Sequence, residues 1–310
     1  MVLALIAILS LAAPGPQSAD SYYQSGDQKF DKGDMDGAIA DYTKAIALNP
    51  KHASAYFNRA LAKRAKGDLD SALADATKAI ELRPKDSDSY NCRGHVKMAQ
   101  GDLDGAIADF TKAVELNPKH DFAYANRGIA KYDKNDLEGA LTDLTKGIKL
   151  NPKNGEAYRN RGYVLYDQQS WAGALPDFRK ACDLNPAVKD YPQLRIWLIR
   201  ARLGERDAAT RELAQFLKGR KADDWPRKIM RFLIGELPEA EFLKAAESEN
   251  AKTDGERKCE ATFYVGSRSL IDGDKDKAKE YFQQCLDTGV KTFAEYRSAS
   301  AELTALEKAK

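Results

Sequence analysis

Cys92 and His95 stand three residues apart, so one helical face would bring a thiol and an imidazole together. Neither a third orienting group nor an oxyanion loop accompanies them, which leaves a thiol enzyme using Cys92 and His95 as a poorly supported alternative. The other histidines, His52 and His120, fall in turns, and three scattered histidines make no metal site. The sequence has no Gly-rich phosphate loop, nucleophile elbow or zinc-hydrolase helix motif, so no cofactor, small-molecule substrate or catalysis is expected. Ionic chemistry is more regular. Arg59, Arg93, Arg127 and Arg161 recur every 34 residues, each followed sixteen residues later by Asp75, Asp109, Asp143 or Asp177. A recurring half-buried Arg needs a partner, so these columns are expected to form structural ion pairs and not to bind phosphate. One residue before each Arg runs a polar column, Asn58, Cys92, Asn126 and Asn160.

The elements that position these columns follow from the period. Pro50, Pro84, Pro118, Pro152 and Pro186 are each 34 residues apart, and small residues recur in the same register at Gly26, Ala60, Gly94, Gly128 and Gly162. A second small column runs Ala38, Ala72, Ala106, Ala140 and Ala174, and a third runs Ala45, Ala79, Ala113, Gly147 and Ala181. Between the first and second columns a breaker that tolerates positive φ, Gly33, Gly67, Gly101 or Asn135, precedes an Asp. Each unit is therefore a helix, a tight turn and a second antiparallel helix ended by Pro, with the small columns marking where helices cross.

This pattern resembles the tetratricopeptide repeat family. The resemblance implies an all-α, right-handed superhelical solenoid, with five tandem repeats over residues 19–188. A degenerate region over 189–310 follows, holding an eroded pair around Gly204 and Ala209 and another around Gly266, Gly273, Ala278 and Phe282. Pro176 inside the fifth repeat predicts a kink. "WPRKIMRFLIGEL" and "PEAEFLKAA" read as two short helices that break the period, and "FAEYRSASAELTALEKA" as a capping helix. With 31% charged and 43% hydrophobic residues, the 310-residue chain suits an elongated array whose units bury their faces against neighbours. Forty-nine basic against 47 acidic residues, with no basic stripe among aromatics, argue against nucleic acid as a partner.

In this family the first helices line a concave face, which directs attention to positions 2, 5, 6, 9 and 12 of each repeat. By that resemblance Asn58, Asn126 and Asn160 would hydrogen-bond the backbone of an extended peptide, since an amide donates and accepts at once. The same column could equally belong to the repeat's own framework. Around it Tyr23, Phe57, Phe122 and Tyr163, with Tyr132 and Tyr166, offer aromatic contact area, and Arg159 is the nearby cation. The multi-residue basic clamp of the co-chaperone members is missing. The irregular segment around Trp225 and Phe232 is a second candidate surface.

Val2 to Ala13 is an uncharged apolar run of 12, short for a membrane span and suited to a signal peptide over residues 1–19, cleaved after Ala13 or Ala19. Export would place the four cysteines in an oxidising compartment. There Cys259 and Cys285, at adjoining ends of one hairpin, are expected to form a disulfide, while Cys92 and Cys182 stay free. The order of motifs over about residues 190–308 is similar to the C-terminal half of NlpI-type periplasmic tetratricopeptide lipoproteins. That similarity implies a homodimeric adaptor docking cell-wall hydrolases and a periplasmic protease, although no lipobox cysteine is present. The sequence thus predicts a non-catalytic periplasmic or secreted scaffold with protein or peptide partners. A structural subunit of an envelope or secretion machine is the alternative.

Overall fold

The structure is a computed structural model that describes residues 18–186, 189–218 and 224–308. Most of the segment expected to direct export lies outside the described residues; Ala19 already opens the first helix, and the Ser18 hydroxyl before it caps Ser21 N–H at 3.1 Å. The described residues form 17 helices and the chain divides into two compact units, up to Ala123 and from Tyr124.

The first unit contains α1 (Ala19–Asp31), α2 (Met35–Leu48), α3 (Ala53–Ala65), α4 (Leu69–Leu82), α5 (Ser87–Ala99) and α6 (Leu103–Leu116), packed as successive pairs. Its turns obey the expected chemistry. Gly33, Gly67 and Gly101 take φ near +80°, and the following Asp34, Asp68 and Asp102 cap the second helix of each pair, with Asp34 accepting from Gly37 N–H at 2.9 Å. The small column lets an aromatic ring touch the facing backbone: a Cβ on Gly94 would lie 2.6 Å from Phe110, and one on Gly26 2.5 Å from Tyr42. The second repeat solves the same crossing with two small residues, Ala60 and Ala76, which cluster with Cys92.

The second unit begins within α7 (Asp121–Asp133) and continues through α8 (Leu137–Leu150), α9 (Gly155–Asp167) and α10 (Trp171–Leu184). Asn135 and Gln169 hold the positive-φ turns at +65° and +57°; the sequence pattern identified Asn135 and missed Gln169. α10 continues unbroken through Pro176. The eroded pairs are real hairpins: α11 (Asp190–Arg202) with α12 (Arg206–Leu217), and α15 (Ala251–Ile271) with α16 (Lys275–Asp287). α15 starts eight residues before the expected helix opening at Cys259. Between them lie the short α13 (Trp225–Leu233) and α14 (Glu239–Ala245), whose Phe232, Phe242 and Trp225 rings stack with centroids 4.5 and 5.4 Å apart. Phe232 and Phe242 are fully buried, so these two rings of the apolar segment belong to the core.

α17 (Ala294–Lys308) does more than cap the last hairpin. It packs on α15 and α16 and also on α9 of the fifth repeat. Its inward face is polar: Glu295, Ser298 and Glu302 are all buried. Arg195, wholly buried, bonds Glu295 at 3.0 Å and Ser298 at 3.2 Å, and Ser298 donates to Asp167 at 2.5 Å. Arg202 pairs with Glu302 at 2.6 Å and Arg297 with Asp133 at 3.0 Å. A helix docked in this way is held by paired charge, which is costly to break on one side.

Candidate functional site

The Arg and Asp columns are structural in both units. Arg59 grips Asp75 through two bonds of 2.7 Å, and Arg93, Arg127 and Arg161 grip Asp109, Asp143 and Asp177 in the same way. The sequence reading missed the second cation on three of these carboxylates, Lys63, Lys97 and Lys131, four residues after each Arg. It also missed the tyrosines under the guanidinium groups, such as Tyr56 beneath Arg59 at 5.6 Å. With both lone-pair sets engaged, these carboxylates and arginines hold each hairpin together and offer nothing to a ligand.

Cys92 and His95 do not make a thiol site. Burial pushes the Cys92 thiol up to about 12 and the His95 imidazole down to about 4. At neutral pH both are uncharged, so there is neither a thiolate to attack nor an imidazolium to stabilise it. The His95 ring instead meets the edge of Phe110 at 5.6 Å. His52 and His120 are capping residues whose Nδ1 atoms accept from Ala55 and Ala123 N–H.

Of the residues expected on the ligand face, three gather in the first unit. Tyr23, Phe57 and Asn58 line a recess of about 230 Å³. The Asn58 amide, however, donates to Tyr23 Oη at 3.1 Å and Asp27 Oδ1 at 2.7 Å, so here the column serves the array's own framework. Phe122 is 54% exposed near the start of α7, whereas Asn126 is buried.

Three more gather in the second unit. Arg159, Asn160 and Tyr163 on α9 form one wall of a cavity of about 570 Å³. Asn160 spends one N–H on the Glu156 carbonyl at 2.9 Å, and Arg159 pairs with Glu156 at 3.0 Å. Tyr163 is largely buried, edge-on to Phe178 at 5.2 Å and beneath Arg195. The facing wall was not foreseen. It consists of Tyr191 on α11, Glu260 on α15 and the turn into α17 at Thr292 and Phe293. A usable signal existed: counted from Gly204 and Gly266, Tyr191 and Glu260 are position 2 of the sixth and seventh repeats, and Arg195 and Tyr264 are position 6. Extending the ligand-face positions into the eroded repeats would have found all four. Tyr132 and Tyr166, expected to be available on this face, are instead buried, Tyr132 bonded to Asp167 and Tyr166 under Arg195 and Arg202. Their aromatic surface is already used inside the unit.

Cys259 and Cys285 are both buried thiols in the structure, with their sulfurs 3.5 Å apart. The structure thus holds them as two thiols in contact and without a bond between them. The expected adjacency is present. Contact with Cys259, together with burial, raises the Cys285 thiol well above its ordinary range.

Family models described as TPR repeat match residues 19–63 and 128–169, and models described as tetratricopeptide repeat match 53–86, 87–120 and 271–288, together more than half of the chain. Among solved structures, PilW, titled a widely conserved type IV pilus biogenesis factor, aligns with a TM-score of 0.61 at 20% identity, over 67% of this chain and 97% of its own. A tetratricopeptide repeat protein from Parabacteroides merdae aligns with a TM-score of 0.56 at 17% identity, over 87% of this chain and 100% of its own. These likenesses show the all-α repeat fold.

Proposed function

This chain belongs to the tetratricopeptide repeat family, and from that premise we propose that it is a non-catalytic scaffold that binds extended peptide segments of partner proteins in the second unit. The observation that carries this reading is the cavity beside α9. Its roughly 570 Å³ can hold several peptide residues, its Arg159 and Asn160 present polar atoms at the register positions that face a ligand, and its Tyr163, Tyr191 and Phe293 supply aromatic wall. The first unit's equivalent amide, Asn58, is already committed, which favours the second unit.

The same proposal extends to location and role. The Val2–Ala13 apolar run supports export, and the resemblance of the C-terminal half to NlpI-type proteins supports an adaptor, homodimeric as that resemblance implies, in peptidoglycan remodelling or proteolysis control. Among the described residues no helix is long and apolar enough to cross a membrane. The test is capture from periplasmic extract by the wild type and by an Arg159→Ala/Asn160→Ala double variant. Both side chains are partly exposed, so folding should be unchanged by circular dichroism. Captured partners should fall by about tenfold or more, since each lost bond is worth on the order of 1 kcal/mol. Equal capture by a folded double variant would contradict the reading.

A further inference from the structure

The cavity beside α9 contains one buried group whose charge nothing balances. The Glu260 carboxylate is 3% exposed and lines the cavity. It accepts a hydrogen bond from Trp225 Nε1 and faces the Tyr191 hydroxyl, both neutral donors. Among the described residues no lysine or arginine pairs with it. The arginines around the cavity pair with other carboxylates and not with Glu260: Arg159 with Glu156 at 3.0 Å, Arg195 with Glu295 at 3.0 Å, Arg227 with Asp190 at 3.7 Å and Arg297 with Asp133 at 3.0 Å. A buried carboxylate without a cation is ordinarily costly, and it is retained here at the mouth of an open space walled by tyrosines.

We propose that Glu260 is the recognition site for a primary ammonium group on the bound peptide, with the Tyr163, Tyr191 and Phe293 rings around the cation and Arg159 and Asn160 meeting the adjoining backbone. This rests on the peptide-binding reading and adds the chemical class of the anchoring group. The ammonium could be a peptide N-terminus or a lysine side chain; both present the same chemistry.

In the unliganded protein burial, reinforced by the Glu295 charge, pushes Glu260 up to about 8. The charged and titratable groups facing it are Glu256 and Arg257 on its own helix, Arg159 and Tyr163 on α9, and Asp190, Tyr191 and Arg195 on α11. From α13 comes Arg227, through its pairing with Asp190, and from α17 come Glu295 and Arg297. At pH 7 Glu260 is therefore mostly a neutral acid, and binding an ammonium releases its proton to solvent. Affinity should rise as pH increases through about 8. A peptide α-amine loses its own charge near pH 8, so its binding should peak there, whereas binding through lysine should peak about one unit higher, near pH 9, midway between the Glu260 value and the ordinary lysine value of about 10.4.

The test titrates the full chain by calorimetry with three degenerate decapeptide pools: free N-terminus without lysine, N-acetylated with one central lysine, and N-acetylated without lysine. At pH 8 at least one amine-bearing pool should bind about tenfold or more tightly than the acetylated lysine-free pool, with proton release seen as a dependence of the heat on buffer ionisation. Glu260→Gln, which mimics the neutral resting acid and so should fold, should erase both the preference and the proton release. Similar binding of all three pools would overturn the ammonium site while leaving peptide binding intact. Survival of the preference in a folded Glu260→Gln protein would also overturn it. No binding of any pool would overturn both proposals.

Discussion

At the scale of single residues, the repeats are built from complementary sizes and paired charges. Where a ring stands in the second helix, as at Phe110, the facing position is Gly94; where the ring is replaced by Ala76, the facing position carries Ala60. This exchange is written in the sequence columns and needs no coordinates. Gly94→Ala would place a methyl 2.6 Å from Phe110, so it should destabilise by about 1–3 kcal/mol in chemical denaturation. Gly94→Ala combined with Phe110→Ala removes that clash, so the double variant should show a coupling between the two sites; strictly additive losses would refute the contact. The Arg–Asp pairing was equally legible, because residues sixteen apart face each other across a hairpin. The lysine that shares each carboxylate was not, since lysines also occupy many exposed positions. The cysteine pair was legible as neighbours and not as a bond. At 3.5 Å, small movements of Cys259 and Cys285 would allow closure in an oxidising compartment. Protein purified from the periplasm without reductant should yield the linked peptide, with a stabilisation of about 3 kcal/mol over the reduced form. Recovery of both as alkylatable thiols would show that no bond forms.

At the scale of elements, every helix pair up to the fifth repeat follows from period, breaker and cap, because all the information is local. The docking of α17 does not. As a helix it is evident from "FAEYRSASAELTALEKA", but its partners Arg195 and Asp167 lie 100 or more residues earlier in the chain, and nothing in the periodicity links them. Its inward Glu295 and Glu302 would ordinarily be read as solvent-facing. Because Arg195 is fully buried against Glu295, Glu295→Ala should cost about 3–5 kcal/mol in equilibrium unfolding. Adding Arg195→Met should recover much of that loss by removing the orphaned charge. A neutral Glu295→Ala change would mean that α17 is not held at this position.

At the scale of the whole molecule, the chain is a tetratricopeptide repeat protein whose second unit gathers ligand-face positions from the fifth, sixth and seventh repeats around one cavity. The regular repeats were legible because a strict period amplifies a weak pattern; the cavity was not, because half of its wall comes from repeats in which the period has eroded. Hydrogen exchange on the free protein and on its complex with a captured partner tests the central claim most directly. Protection should concentrate in α9, in the Thr292–Phe293 turn and at the α15 segment around Glu260. Protection confined to residues before Ala123, with these segments unchanged, would contradict the account.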